Sequence, residues 1–136
     1  MISFNYELDF ELTNADEISS WISNSIVAEK FKEGEINFIF CSDDYLYNLN
    51  VEFLNHDSLT DIISFDCSVG KELHGDVFIS VERVKENAKD YDVSFSDELN
   101  RVMIHGILHL CKYNDKTEEE KRLMREKENH YLSQFS

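Results

Sequence analysis

The stretch DELNRVMIHGILHLC, residues 97–111, reads as a helix with little surface left for solvent. At 100° per residue, Leu99, Val102, Met103, Ile104, Ile107, Leu108, Leu110 and Cys111 cover most of its circumference. Such a helix is buried, so the rest of the fold has to pack round it. The remaining arc, roughly 80° wide on ideal geometry, gathers Glu98, Arg101, His105, His109 and Lys112. His105 and His109 stand one turn apart on it. Side chains at that spacing have Cβ atoms about 6 Å apart, within reach of one metal ion.

The residues that follow supply a third donor. The helix is expected to break at Tyr113 and Asn114, with Asn114 taking the left-handed cap. Asp115, six residues past His109, then folds back towards the two histidines. Thr117 and Glu120 have the spacing of a capping box and open a new helix. Its inward stripe is expected to be Leu123, Met124, Tyr131 and the stem of Lys127. Asp115 is thereby held between two helices, and His105, His109 and Asp115 are the candidate metal ligands. Three protein donors with one open position is a catalytic pattern, since structural zinc sites usually have four donors rich in cysteine. Zinc is the expected ion, and a carboxylate donor makes manganese or iron more competitive. Cys111 lies about 240° round the helix from His105 and faces the core, so it is not counted as a donor.

Upstream, residues 2–12 alternate apolar and polar, with Ile2, Phe4, Tyr6, Leu8, Phe10 and Leu12 on one face. That predicts one half-buried strand. Asn14 and Glu17 have capping-box spacing ahead of a helix whose stripe is Ile18, Trp21, Ile22 and Ile26, and Gly34 is read as closing that region. Short β-branched and aromatic runs at 36–40, 62–65 and 77–81 read as strands. Helices are expected around 43–53 and 81–90. The order predicts an α+β domain over residues 1–136: a single mixed four-stranded sheet with helices packed on it, and the metal site on a long buried helix.

A chain of 136 residues has room for one core. No run approaches the roughly 18 apolar residues of a membrane span. The first ten residues alternate and lack a basic start, unlike a secretory signal. Cys41, Cys67 and Cys111 each lie in or beside an apolar segment and are expected as buried free thiols in a reducing cytoplasm. A net charge of −15, from 13 basic and 28 acidic residues, runs against the basic surface usual in nucleic-acid binders. The late basic residues Lys112, Lys116, Lys121, Arg122, Arg125 and Lys127 are interleaved with acids and read first as a mixed, solvated face.

The run HGILHLCKYND, residues 105–115, resembles the signature HGxLHLxGYDH of the YbeY family. His105, Gly106, Leu108, His109, Leu110 and Tyr113 match outright. Leu49 and Asn50, followed by the run from Thr60 to Phe65, are similar to its LN…PTDVLSF. Gly75 to Ser80 is similar to its GDIxIS strand, and Met124 with Glu128 to its MxxxE. Order and spacing agree over residues 49–128. The resemblance implies a single α+β domain with zinc on the long helix. It also implies a cytoplasmic endoribonuclease that matures the 3′ end of small-subunit ribosomal RNA and takes part in ribosome quality control. Its partners would be ribosomal RNA and the ribosome or its assembly factors, with neither DNA nor membrane. The family's third histidine is Asp115 here, a competent donor. Its helix-ending glycine is Lys112, its usual arginine is Leu54 and its proline is Leu59. His56, where the family often has lysine, is a weak candidate for phosphate contact. Arg101, one turn before His105, is a second, with an ion pair to Glu98 or another acid as the competing reading.

The expected chemistry is metal-assisted hydrolysis of an RNA phosphodiester. A zinc-dependent peptidase is the rival enzyme, but Gly106 stands where HExxH peptidases carry the glutamate base, and glycine moves no proton. Two histidines and a carboxylate also make the facial triad of iron oxygenases, which normally sits on a β-barrel. The rival from another class is a ribosome assembly factor that binds RNA or protein without cutting.

Overall fold

The structure, a computed structural model, describes residues 1–54 and 60–135. They form β1 (Ile2–Tyr6), α1 (Ala15–Ala28), β2 (Lys32–Cys41), α2 (Asp43–Leu54) and β3 (Ile62–Asp66). Then come β4 (Glu72–Ser80), α3 (Val81–Asp90), α4 (Phe95–Leu110) and α5 (Glu118–Gln134). The strands make one mixed sheet in the order β1-β2-β4-β3. β1, β2 and β4 run parallel, and β3 closes the edge antiparallel to β4. α1 carries the chain from β1 to β2, the long crossover that parallel neighbours require. The α+β architecture read from the sequence is the one observed.

The core lies between the sheet and the helices on one face. Ile36, Phe38, Phe40, Val77 and Ile79 meet Ile18, Ile22 and Ile26 of α1 and the apolar majority of α4 there. A smaller cluster of Cys41, Leu46 and Ile63 lies apart from it, with Phe78 packed alongside. Leu99, Val102, Met103, Ile104, Ile107, Leu108 and Leu110 are all buried, as the apolar circumference of residues 97–111 requires. Among the described residues, no helix is long and apolar enough to cross a membrane.

Several local expectations fail, each for a physical reason. The first strand stops at Tyr6 instead of running to residue 12. β2 ends at Cys41 and leaves no further partner, so the chain turns as the Phe10 amide donates to the Leu8 carbonyl at 2.8 Å. Leu8, Phe10 and Leu12 still pack against the core without being in a strand. Asn14 caps α1 through its backbone alone. Its φ of −131° and ψ of 44° lie outside usual cap geometry, and its side chain accepts no bond. Gly34 lies inside β2. There a Cβ would come within 2.4 Å of the Leu73 carbonyl oxygen, beside the register shift between Glu33 and Ile36. Cys67 is exposed, whereas Cys41 and Cys111 are buried. Burial pushes both buried thiols up to about 12. Leu123 points outward at 44% exposure, and Glu128 takes the inward place between Met124 and Tyr131.

Candidate metal centre

Ser94 opens α4 by accepting the Asp97 amide proton. Gly106 lets the helix settle on the sheet. A Cβ there would sit 3.0 Å from both Ile62 Cδ1 and Val77 Cγ1, tighter than nearly all real contacts. The helix ends in a Schellman motif, in which the Lys112 amide donates to His109 and the Tyr113 amide to Leu108, each at 3.0 Å. Lys112 therefore takes the left-handed residue, at φ 78°, and Asn114 does not. A non-glycine residue there costs about 1 kcal/mol. The two bonds offset that cost, together with the 2.8 Å pairing of Lys112 Nζ with Asp66.

The reversal brings Asp115 back over the helix. His105 Nε2 and His109 Nε2 are 3.0 Å apart, and Asp115 Oδ2 lies 3.3 Å from each. Donors at about 2.0–2.1 Å from a tetrahedral ion are separated by roughly 3.3 Å, so this triangle has the size of one face of such a site. The three residues could hold a metal ion. α5 starts just beyond with the full capping box of Thr117 and Glu120.

Behind the triangle, His105 Nδ1 lies 2.6 Å from Glu128 Oε2. A proton on Nδ1 donated to this carboxylate leaves the Nε2 lone pair facing Asp115 and His109, the tautomer a metal ligand needs. The other oxygen of Glu128 accepts from Arg101 Nη1 at 2.9 Å, while Arg101 Nη2 donates to Asn129 at 2.8 Å. Arg101 is thus ion-paired with an acid of α5. His56 and Leu59 lie outside the described residues, as does the side chain of Leu54.

A second knot fixes the loop from the far side. Glu29, at the end of α1, accepts from Tyr113 Oη at 2.6 Å, from Lys127 Nζ at 3.0 Å and from Tyr131 Oη. Burial would raise its carboxyl, but these three bonds hold it below the usual carboxylate range.

The triangle opens on a cleft of about 300 Å³ that Asp61, Glu98, Arg125 and Glu128 also line. Burial lifts the Asp61 carboxyl above its usual range, with the nearby His105 charge opposing. The sequence reading left Glu128 and Asp61 without roles. Both were inside matched motifs, and Glu128 also sits on the buried stripe of α5, where an acid needs a partner.

The His105–Glu128 pair makes the metal-free chain sensitive to pH. Burial lowers the His105 pKa, but the hydrogen bond and charge of Glu128 outweigh it and leave the value raised above 6.5. Burial raises Glu128, and the bonds from His105 and Arg101 outweigh that, leaving it below 4.5. A raised histidine stabilises fully below its unfolded value and loses that contribution as pH climbs through the folded one. A lowered carboxyl stabilises fully above its unfolded value and loses it as pH falls through the folded one. Urea titrations in chelator should therefore give a stability contribution from this pair that is complete between 4.5 and 6.5 and declines on both sides. Glu128→Gln should flatten that profile. An unaltered profile would mean that the pair is not coupled.

Comparison with known proteins identifies the family. The family profile described as Endoribonuclease YbeY matches residues 4–136. Endoribonuclease YbeY of Flavobacterium johnsoniae is 57% identical over 135 residues, covering 99% of this chain and 97% of that protein. Its namesake in Bacteroides thetaiotaomicron is 45% identical over 117 residues, covering 86% and 85%. The solution structure of TM1509 from Thermotoga maritima superposes with a TM-score of 0.70 at 26% identity, covering 99% of this chain and 89% of that one. A profile match over nearly the whole length and relatives this similar leave one conclusion: the chain belongs to the endoribonuclease YbeY family.

Proposed function

We propose that this chain is a metal-dependent endoribonuclease that matures ribosomal RNA at the 3′ end of the small-subunit molecule and serves ribosome quality control in the cytoplasm. The carrying observation is the triangle of His105 Nε2, His109 Nε2 and Asp115 Oδ2, with edges of 3.0 to 3.3 Å and His105 backed by Glu128. These three atoms would hold the ion, zinc by first preference and manganese or iron as competitors because one donor is a carboxylate. A divalent cation there supplies Lewis acidity toward a phosphoryl oxygen and toward water. The side chains do the rest. Glu128 fixes the His105 ring and its tautomer. Arg101 and Arg125 place positive charge on the cleft wall where a phosphate would lie. Asp61, Glu98, Asp115 and Glu128 line the same cleft, so a bound cation would add the charge that the two arginines need to draw in a polyanion. Gly106 argues against the peptidase reading, since no proton-moving group stands beside His105 in the motif.

Cleavage of a structured precursor ribosomal-RNA fragment tests this reading, with wild type and His109→Ala purified side by side and zinc, manganese or chelator added. Wild type should cut. His109→Ala and chelated wild type should lose more than the roughly ten- to hundred-fold that removal of an outer partner costs. Equal cutting by both proteins, or none with any metal, would transfer the reading to an assembly factor that binds without cleaving.

A further inference from the structure

The cleft at the triangle does not end there. A groove of about 640 Å³ continues it, and Tyr91, Glu98, Arg101 and Arg125 line both. The groove lies between the first half of α4 and the end of α5, where Leu132 and Phe135 supply an apolar wall. Tyr91 caps the end of α3 and is 61% exposed. The Arg125 side chain is 61% exposed and, among the described residues, its ion pair is with Glu128, at 3.6 Å. Glu98 is the opposite case. It is 5% exposed, and among the described residues its carboxylate takes no hydrogen bond and no ion pair. Burial raises its pKa and Asp61 adds to that, with the charges of Arg101 and Arg125 opposing. Its oxygens are not among the fully buried unpartnered atoms of the described residues, so they open onto the two cavities that Glu98 lines, where they can accept a hydrogen bond.

The geometry points to a nucleotide subsite. The groove takes the unpaired nucleotide next to the phosphodiester at the triangle, with its base stacked on Tyr91 and its phosphate against Arg125. Glu98 receives a hydrogen bond from that nucleotide, from a sugar hydroxyl or a base amino group. This deepens the endoribonuclease reading and rests on it. The groove volume falls in the range of about 300–1,000 Å³ typical of ligand clefts. An exposed aromatic ring beside an arginine is the usual platform for single-stranded nucleic acid, because every base has a face to stack. A peptide suits the groove less well. Its walls come from helices, so no sheet edge is offered to an added strand. Asp97, Glu98, Arg101 and Arg125 also break up the apolar floor that a docked helix needs.

The test uses the full chain and short single-stranded RNAs carrying the fluorescent base 2-aminopurine at each position in turn. Binding is read in chelator, where nothing is cut, and again with zinc. Wild type should quench the fluorescence at one position through stacking. Tyr91→Ala should lose that quenching and bind roughly ten-fold or more weakly, while Tyr91→Phe should retain both. Arg125→Ala should weaken binding and reduce its salt dependence by about one counterion. A single 2′-deoxy sugar at that position should weaken wild type but not Glu98→Ala if a sugar hydroxyl is the donor. A base lacking its amino group should do the same if the donor is the base. Tyr91→Ala that binds and quenches like wild type overturns the subsite, and a groove serving a protein instead would give that result. So would wild type that binds none of these RNAs. Tyr91-dependent binding without any cutting would keep the subsite and sink the nuclease reading, so the two failures are distinct.

Discussion

Glu128→Ala is expected to lower zinc affinity ten- to a hundred-fold, the usual cost of removing the partner that orients a histidine ligand. Competition against a chromogenic chelator measures it. Without the carboxylate, the His105 ring loses the 2.6 Å bond at Nδ1 and both tautomers become available. Much of the neutral population would then carry its proton on Nε2, the nitrogen that faces Asp115. The same change strips Arg101 of its 2.9 Å partner. Breaking a fully buried pair costs roughly 3–5 kcal/mol. Arg101 stays about a quarter exposed, so about 2 kcal/mol is the expected loss of stability in urea. Glu128→Gln keeps an acceptor for His105 and should fall between the two proteins. A Glu128→Ala chain that folds and binds zinc like wild type would show that His105 is oriented by something else.

Phe40→Ala should have the largest effect on stability, about 4 kcal/mol, within the range for deleting a buried phenylalanine. Its ring is fully buried in β2 and meets Phe4, Tyr6 and Phe10 at centroid distances of 6.3, 5.6 and 5.4 Å. Each such pair adds beyond simple burial. At this chain length the midpoint of thermal unfolding should fall by roughly 15 °C. A drop of only a few degrees would mean that the segment around residues 8–12 collapses into the cavity.

Periodicity was enough to read the scaffold from the amino-acid sequence. The apolar circumference of residues 97–111 requires a buried helix, and a buried helix beside short aromatic and β-branched runs requires a sheet to cover it. Element ends were less legible. Tyr6 ends its strand because β2 offers no further backbone, a fact about a partner thirty-odd residues away. Gly34 looked like a terminator because a glycine shows nothing locally of the carbonyl that will approach it. Lys112 could not be read as the left-handed residue, because its pairing with Asp66 exists only once β3 is in place. For the candidate metal centre, the spacing of His105 and His109 and the position of Asp115 were visible, since both follow from helix geometry and a short turn. The Glu128 contact was not. It depends on how α5 lies across α4, and no pattern within either helix specifies that angle.

The Glu29 knot ties residues 84, 98 and 102 positions apart along the chain. Contacts that distant form only after a long loop has closed, and the entropy of closing it is lost before the contacts repay any of it. During synthesis, α1 and the sheet strands leave the ribosome well ahead of Tyr113, Lys127 and Tyr131, and the helix bearing both histidines, which ends at Leu110, still precedes Lys127 and Tyr131. A nascent chain that stops short of α5 lacks the Glu128 acceptor behind His105, and of the Glu29 knot it keeps only the Tyr113 bond. The order of translation therefore delays completion of the candidate metal centre until the last helix has emerged.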